Sequence, residues 1–336
     1  MKTIPYRLLA LLIGLGVLSS CLRTIELPVL GDASGTVIRV GKPVLSGNKQ
    51  TFTIDVHVVD ASGNYVNALG KDNFSIKDTT TNPYGITYSL IDVKAGNKTA
   101  YKGDYSAFLL LDQSGSTNTT DYENLRIKAS QIFLDALGKN DKVALASFTD
   151  SDDYYYPYAT SYTHLHGGFT NNGTSLYPSL DSLVGIIPKA GTPLYSSILW
   201  SLKYTSDNAP SANKALIVFT DGQSGDWNLK VEAETLSLSK NIPVFTVGLS
   251  NGVNVSELND LALNTGGSFM WAKDAKQLIS YFGTLGNLLR GNADFYTLTF
   301  EATSKNSFPT YGNILYLQVK LPNGKKFLLP YVIKFE

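Results

Sequence analysis

Ser106-Ala107-Phe108-Leu109-Leu110-Leu111-Asp112-Gln113-Ser114-Gly115-Ser116 is the stretch on which the fold turns. Residues 106–111 form an unbroken apolar run without polar alternation, the pattern of a parallel strand buried on both faces. The run ends in Asp-x-Ser-x-Ser. At the carboxyl end of such a strand, where open α/β sheets bind their ligands, one carboxylate and two hydroxyls on a single turning loop can face one point. These are hard oxygen donors, suited to Mg²⁺, Mn²⁺ or Ca²⁺ and not to zinc or copper.

Outward from this strand, Tyr105 to Leu289 alternates apolar strands with segments of helical period. Lys142–Phe148, Ala215–Phe219, Pro243–Gly248 and Gly267–Trp271 read as strands. Asp121–Leu137, with Tyr122, Leu125, Ala129, Ile132, Phe133 and Leu137 on one face, reads as a helix, as do Leu194–Tyr204, Val231–Leu238, Ser256–Leu263 and Lys276–Leu289. The alternation predicts an α/β, doubly wound, mostly parallel sheet flanked by helices. On both sides the period is two. Thr51–Val59 alternates Phe52, Ile54, Val56 and Val58 with polar neighbours. Tyr296–Glu301, Ile314–Leu321 and Phe327–Phe335 are strands, the last two joined by an Asn323-Gly324 turn. One β-sandwich built from both ends of the chain, with the α/β domain inserted at its edge, is the simplest arrangement.

The 336 residues carry 28 Lys plus Arg and 28 Asp plus Glu, a net charge of zero that gives no reason to expect nucleic acid as a partner. With 43% hydrophobic and 17% charged residues the chain has material for a real core and is not of disordered composition. Cys21 is the single cysteine, so no intrachain disulfide forms. Before it, Lys2 and Arg7 precede an uncharged run from Leu8 to Leu18 that is too short to span a bilayer and reads as a signal peptide. Leu18-Ser19-Ser20-Cys21 resembles a bacterial lipobox. The resemblance implies lipidation of Cys21 and a bacterial cell-envelope location, with Leu22 after the cysteine favouring the outer membrane or cell surface. The expected layout is a lipoprotein signal peptide (1–20), the lipidated cysteine and a tether entering a first strand (21–50), the N-terminal half of the sandwich (51–100), the α/β domain (101–290) and the C-terminal half of the sandwich (291–336).

With Thr192 in Gly191-Thr192-Pro193-Leu194 and Asp221 in Ile217-Val218-Phe219-Thr220-Asp221-Gly222, the chain resembles the von Willebrand factor A family over roughly Tyr105 to Leu289. Asp112, Ser114, Ser116, Thr192 and Asp221 match that family's metal-ion-dependent adhesion site in order and spacing. The resemblance implies Ser114 and Ser116 as direct metal ligands, Thr192 as a ligand directly or through water, and Asp112 and Asp221 acting mostly through coordinated waters. It implies Mg²⁺, with Mn²⁺ or Ca²⁺ as alternatives, and a protein or glycan partner that supplies a carboxylate. Residues 58–76 resemble the immunoglobulin-like strand pair that precedes the A domain in secreted bacterial proteins. No histidine is near the five residues in sequence and no general base is placed with them, so a binding module and not an enzyme is expected. His57 lies on the polar phase of a strand, where a surface position is expected. His164 and His166 fall in an expected long loop, Thr149 to Tyr177, where a third zinc ligand is not obvious. Tyr154, Tyr155, Tyr156 and Tyr158 in that loop read either as a partner contact or as packing against the domain's own edge. An envelope assembly factor whose metal mainly stabilises the fold is the alternative function.

Overall fold

In a computed structural model the described residues are 33–335 apart from 61–63, 78–83, 99–102, 151–161, 185–190, 223, 250–252, 273–274 and 292. Cys21 with its leader, and Tyr154, Tyr155, Tyr156 and Tyr158, lie outside the described residues.

The apolar run is strand β6 (Tyr105–Asp112), buried at every position. It pairs in parallel with β7 (Lys142–Phe148) and β9 (Asn213–Thr220). With β10 (Val244–Leu249), β11 (Phe269–Ala272) and β8 (Thr163–Thr170) these make a six-stranded sheet in the order β11-β10-β9-β6-β7-β8. Alternate residues of the central strands serve two cores, as the pleat requires. Leu109, Leu111, Leu145, Ile217 and Phe219 pack under helices α2 (Leu125–Asp135), α3 (Tyr177–Leu183) and α7 (Ala275–Arg290). Phe108, Leu110, Ala146, Leu216 and Val218 pack under α4 (Leu194–Asn208), α5 (Lys230–Lys240) and α6 (Val255–Asn264).

Two expectations in this domain are corrected. The stretch read as a loop from Thr149 to Tyr177 contains β8, which runs antiparallel to β7 with two register shifts. Edge position, bulges and the Gly167-Gly168 pair erase the period-two signal there. The helix expected from Asp121 starts only at Leu125, and Tyr122 is 73% exposed instead of facing the core. A short helix α1 (Thr117–Thr120) comes first, and Asp121 then turns its carboxylate onto the N–H groups of Leu125 and Arg126 at 2.5 and 3.2 Å. An acceptor there satisfies helix donors that otherwise have no partner.

The flanking segments form two antiparallel sheets. One has the order β1 (Ser34–Val40), β3 (Lys49–Val59), β12 (Asp294–Thr303), β5 (Thr87–Lys98), with β2 (Val44–Ser46) added to β3; the other is β14 (Lys326–Ile333), β13 (Asn313–Lys320), β4 (Phe74–Lys77). Phe52, Ile54, Leu298 and Phe300 of the first meet Leu315, Leu317, Leu329 and Tyr331 of the second in one core. β5 and β12 are neighbours, with Lys98 opposite Asp294, so the α/β domain leaves and re-enters the sandwich at adjacent positions. Residues 34–46, read from sequence as tether, supply β1 and β2. A bulge between Val37 and Arg39 lets both Val37 and Val40 face the core and breaks the alternation that would have revealed the strand. His57 is buried, contrary to its expected surface position. β3 is a central strand, the His57 Nδ1–H donates to the Asp294 carbonyl, and the ring stacks on Tyr65 at 5.5 Å. No helix among the described residues is long and apolar enough to cross a membrane.

Candidate functional site

At the carboxyl ends of β6 and β9 the sheet turns into loops that carry buried polar side chains. Asp112 is fully buried; its Oδ1 accepts the Ser114 N–H at 2.8 Å and its Oδ2 the Thr220 hydroxyl at 2.6 Å. Thr220 ends β9 and places Asp221 directly after it, buried beside Asp112. Burial, and then the Asp221 charge, push the Asp112 carboxyl up to about 6, against the pull of the Ser114 and Thr220 hydrogen bonds. Ser114 Oγ and Ser116 Oγ lie 3.1 Å apart. The loop is pinned from within, because Thr117 donates to the Ser114 carbonyl at 2.8 Å and Gln113 N–H to the Phe148 carbonyl at 2.9 Å. Thr120 closes the arrangement by donating to Asp221 Oδ2 at 3.0 Å.

Thr192 is buried in the loop before α4, and its carbonyl accepts the Gly225 N–H at 2.9 Å, which ties that loop to the one following Asp221. Asp226 strengthens the tie by accepting the Tyr195 and Ser196 N–H groups at 3.0 and 2.7 Å. Gly222 makes the turn after Asp221 at φ +74, and a Cβ there would meet Leu258 Cγ at 2.9 Å, so this position requires glycine. Hydrogen bonds and proximity thus link Asp112, Ser114, Ser116 and Asp221 at the carboxyl ends of β6 and β9, with Thr192 on an adjoining, hydrogen-bonded loop.

Several contributors were not read from sequence. Thr120 belongs to the hydroxyl-rich run that follows the motif, which is a weak but visible signal. Arg126 interrupts the buried face of α2; its guanidinium pairs with Asp121 at 2.6 Å and donates from Nε to Gln113 Oε1 at 3.0 Å. An arginine between Leu125 and Ile127 was the clue to this clamp. His164 and His166 lie on β8, with ring centroids 4.5 Å apart and His166 Nε2 2.8 Å from Ser147 Oγ.

The donor set fits a hard cation. Neighbouring ligands of an octahedral ion with bonds of about 2.1 Å stand about 3.0 Å apart, close to the separation of the two serine oxygens. The donors gathered here are hydroxyls with a pair of carboxylates, and among the described residues no three His, Cys, Asp or Glu side chains group as a metal site. Such a set favours magnesium-like ions over zinc.

A family model for the von Willebrand factor type A domain matches residues 108–283, just over half of the chain. No curated protein matches it. Among solved structures, a von Willebrand factor type A protein from Catenulispora acidiphila is 12% identical, with 91% of this chain and 73% of that one covered and a TM-score of 0.45. The pilus adhesin SpaC from Lactobacillus rhamnosus GG is 10% identical, with 88% and 48% covered and a TM-score of 0.44. The manganese-loaded TRAP protein of Plasmodium vivax is 15% identical, with 75% and 97% covered and a TM-score of 0.44. On the family match and the sheet order, the chain belongs to the von Willebrand factor type A domain family, its A domain carried between two neighbouring strands of a β-sandwich.

Proposed function

We propose that this protein is a metal-dependent adhesion module that binds partners at the carboxyl end of the A-domain sheet. The carrying observation is the convergence of two buried carboxylates, Asp112 and Asp221, with two serine hydroxyls 3.1 Å apart. Ser114 and Ser116 would hold Mg²⁺ (or Mn²⁺ or Ca²⁺), with Thr192, Asp112 and Asp221 completing the oxygen set. When bound, the ion supplies a coordination position for a carboxylate of the partner. The chain's own residues hold the donors in register: Thr220 fixes Asp112, Thr120 fixes Asp221, and the Asp121–Arg126 pair holds the loop between them. The reading is of a binding protein without turnover, anchored to a bacterial envelope through Cys21, at the outer membrane or cell surface, as the leader and lipobox-like sequence support.

Pull-down from envelope extract with wild type and Ser114→Ala, in magnesium and in chelator, tests this. Partner capture is expected only with wild type in magnesium; equal capture in chelator overturns the proposal.

One observation favours the alternative of a metal that organises the fold. The Asp221 carbonyl accepts the Asn254 N–H at 2.8 Å, and the next residue, Val255, packs with Trp271 and with Val332 of the sandwich. Magnesium at about a hundred times its Kd stabilises any native state that alone binds it by about 2.7 kcal/mol, and a site joined to the domain interface in this way should extend that gain to the sandwich as well as the A domain. Ser114→Ala would abolish that gain. A large gain on melting without metal-dependent capture selects the assembly role.

A further inference from the structure

Among the described residues, the exposed aromatic side chains are Tyr122, Tyr162, Trp227 and Tyr311. Three of these four stand in the loops around the Asp112–Asp221 cluster. Tyr122, 73% exposed, follows Thr120, which touches Asp221, by two residues. Trp227, 72% exposed, follows Asp226, the acceptor for the first N–H groups of α4 beside Thr192. Tyr162, 46% exposed, gives its carbonyl to the Thr149 N–H at 3.1 Å, one residue beyond Phe148, the register partner of Asp112. The loops at the opposite end of the sheet show no exposed aromatic side chain among the described residues. Aromatic side chains left in water at one end of a domain mark an interaction surface, because tyrosine and tryptophan dominate binding hot spots.

We infer that Tyr122, Tyr162 and Trp227 form an aromatic rim that selects protein segments in which an Asp or Glu is flanked by a large apolar side chain. The inference rests on the metal-dependent binding proposed above and adds to it the kind of partner. A protein segment fits better than a glycan because the rim is partly aliphatic. Val231, one helical turn beyond Trp227, is also 72% exposed, and together they offer a patch for a hydrophobic side chain. The Tyr122 hydroxyl is already engaged with Glu123 Oε1 at 2.9 Å, which leaves the ring face as its contact surface. The three side chains stand on three loops that lead away from the carboxyl end of the sheet, so a segment delivering its acid to the cluster would carry its neighbouring side chains towards them.

Phage-displayed random peptides, selected on the full chain in magnesium and eluted with chelator, test this. The expected recovered sequences carry Asp or Glu within two positions of Trp, Phe, Tyr, Leu, Ile or Met. Repeating the selection on Trp227→Ala, whose melting temperature should match wild type because the side chain is exposed, should keep the acid and lose the apolar neighbour. A synthetic peptide from the wild-type pool should lose about tenfold in affinity for Trp227→Ala. Recovery of acidic peptides without apolar neighbours overturns the rim and leaves the metal reading standing. Equal recovery in chelator, or no enrichment of acids, overturns both. Magnesium-dependent binding to a glycan array that Trp227→Ala abolishes overturns the choice of a protein segment.

Discussion

Two arginine–aspartate pairs of nearly equal length occupy opposite settings in the two halves of the molecule. In the sandwich, Arg39 meets Asp55 at 2.7 Å with the arginine side chain 63% exposed. In the A domain, Arg126 meets Asp121 at 2.6 Å with the side chains 3% and 0% exposed. The first pair trims the edge strand β1, and Asp55 also accepts the Thr297 hydroxyl at 2.7 Å. The second sits behind the loop that presents Ser114 and Ser116 and is surrounded by protein. Burying a charged pair costs desolvation that its attraction scarcely repays. The sandwich, whose task is to hold itself together, keeps its arginine wet. The A domain keeps this arginine dry behind the loop that carries Ser114 and Ser116, where it fixes Gln113 as well as Asp121.

Removing each arginine sharpens this contrast, and the A-domain arginine carries the largest expected effect. Arg126→Ala leaves Asp121 buried without its cation and should lower unfolding stability by about 3–5 kcal/mol. Arg39→Ala breaks an exposed pair and should lower it by less than about 1 kcal/mol. Urea denaturation of both variants measures the difference. Comparable losses would mean that the buried clamp has no special weight in the loop.

The same division decides what the sequence revealed. Central strands buried on both faces are legible because every position is apolar, as in Ser106–Leu111, and the motif at the end of such a strand is legible because its donors are local. The alternation of the A domain and the Asp112, Ser114 and Ser116 motif at the end of its first strand could be read from those features, whereas Thr192 and Asp221 were named only through the family resemblance. Elements that bulge or sit at an edge were not legible: β1 shifts register between Val37 and Arg39, and β8 does so twice. The start of α2 was misplaced because Tyr122 continues a helical period that the Asp121 cap cuts short. Thr120 and Arg126 act through partners distant in sequence or one turn away, Asp221 for the one and Gln113 with Asp121 for the other, and periodicity carries no information about such contacts.

Acid titration compares the two halves on a smaller scale. Burial holds the His166 imidazole down to about 4, with the neighbouring His164 acting in the same direction. Burial also lowers His57 in the sandwich, opposed there by the hydrogen bond to the Asp294 carbonyl and the Asp294 charge. In both cases the unfolded chain binds the proton more readily than the native one. The stability these groups contribute is complete above pH of about 6.5, the ordinary histidine value, and is lost as pH falls below it, for His166 towards about 4. For His166, which keeps some exposure, the loss should be about 1–2 kcal/mol. His166→Gln should flatten the melting temperature between those pH values, and His57→Gln should flatten it less because its opposing contacts reduce the shift. A larger effect from His57→Gln would place the acid-sensitive contact in the sandwich.

A backbone effect of similarly small size separates two glycines with positive φ. Gly222, at φ +74 beside Asp221, has Leu258 against the place where a Cβ would stand, so both backbone and packing exclude a side chain. Gly324, at φ +83 in the turn between β13 and β14, has nothing within 4 Å of that place. Only the backbone conformation opposes a substitution there, and Gly324→Ala should destabilise the chain by about 1 kcal/mol. Gly324→Asn should recover some of this, since asparagine tolerates left-handed geometry better than alanine. Denaturation of the two variants reads the difference. If Gly324→Ala alters magnesium-dependent capture as well as stability, the strain of the hairpin reaches the binding end of the A domain through β14 and the Val332–Val255 contact; unchanged capture confines the turn to holding the sandwich, which is what its distance in the fold from Asp112 leads one to expect.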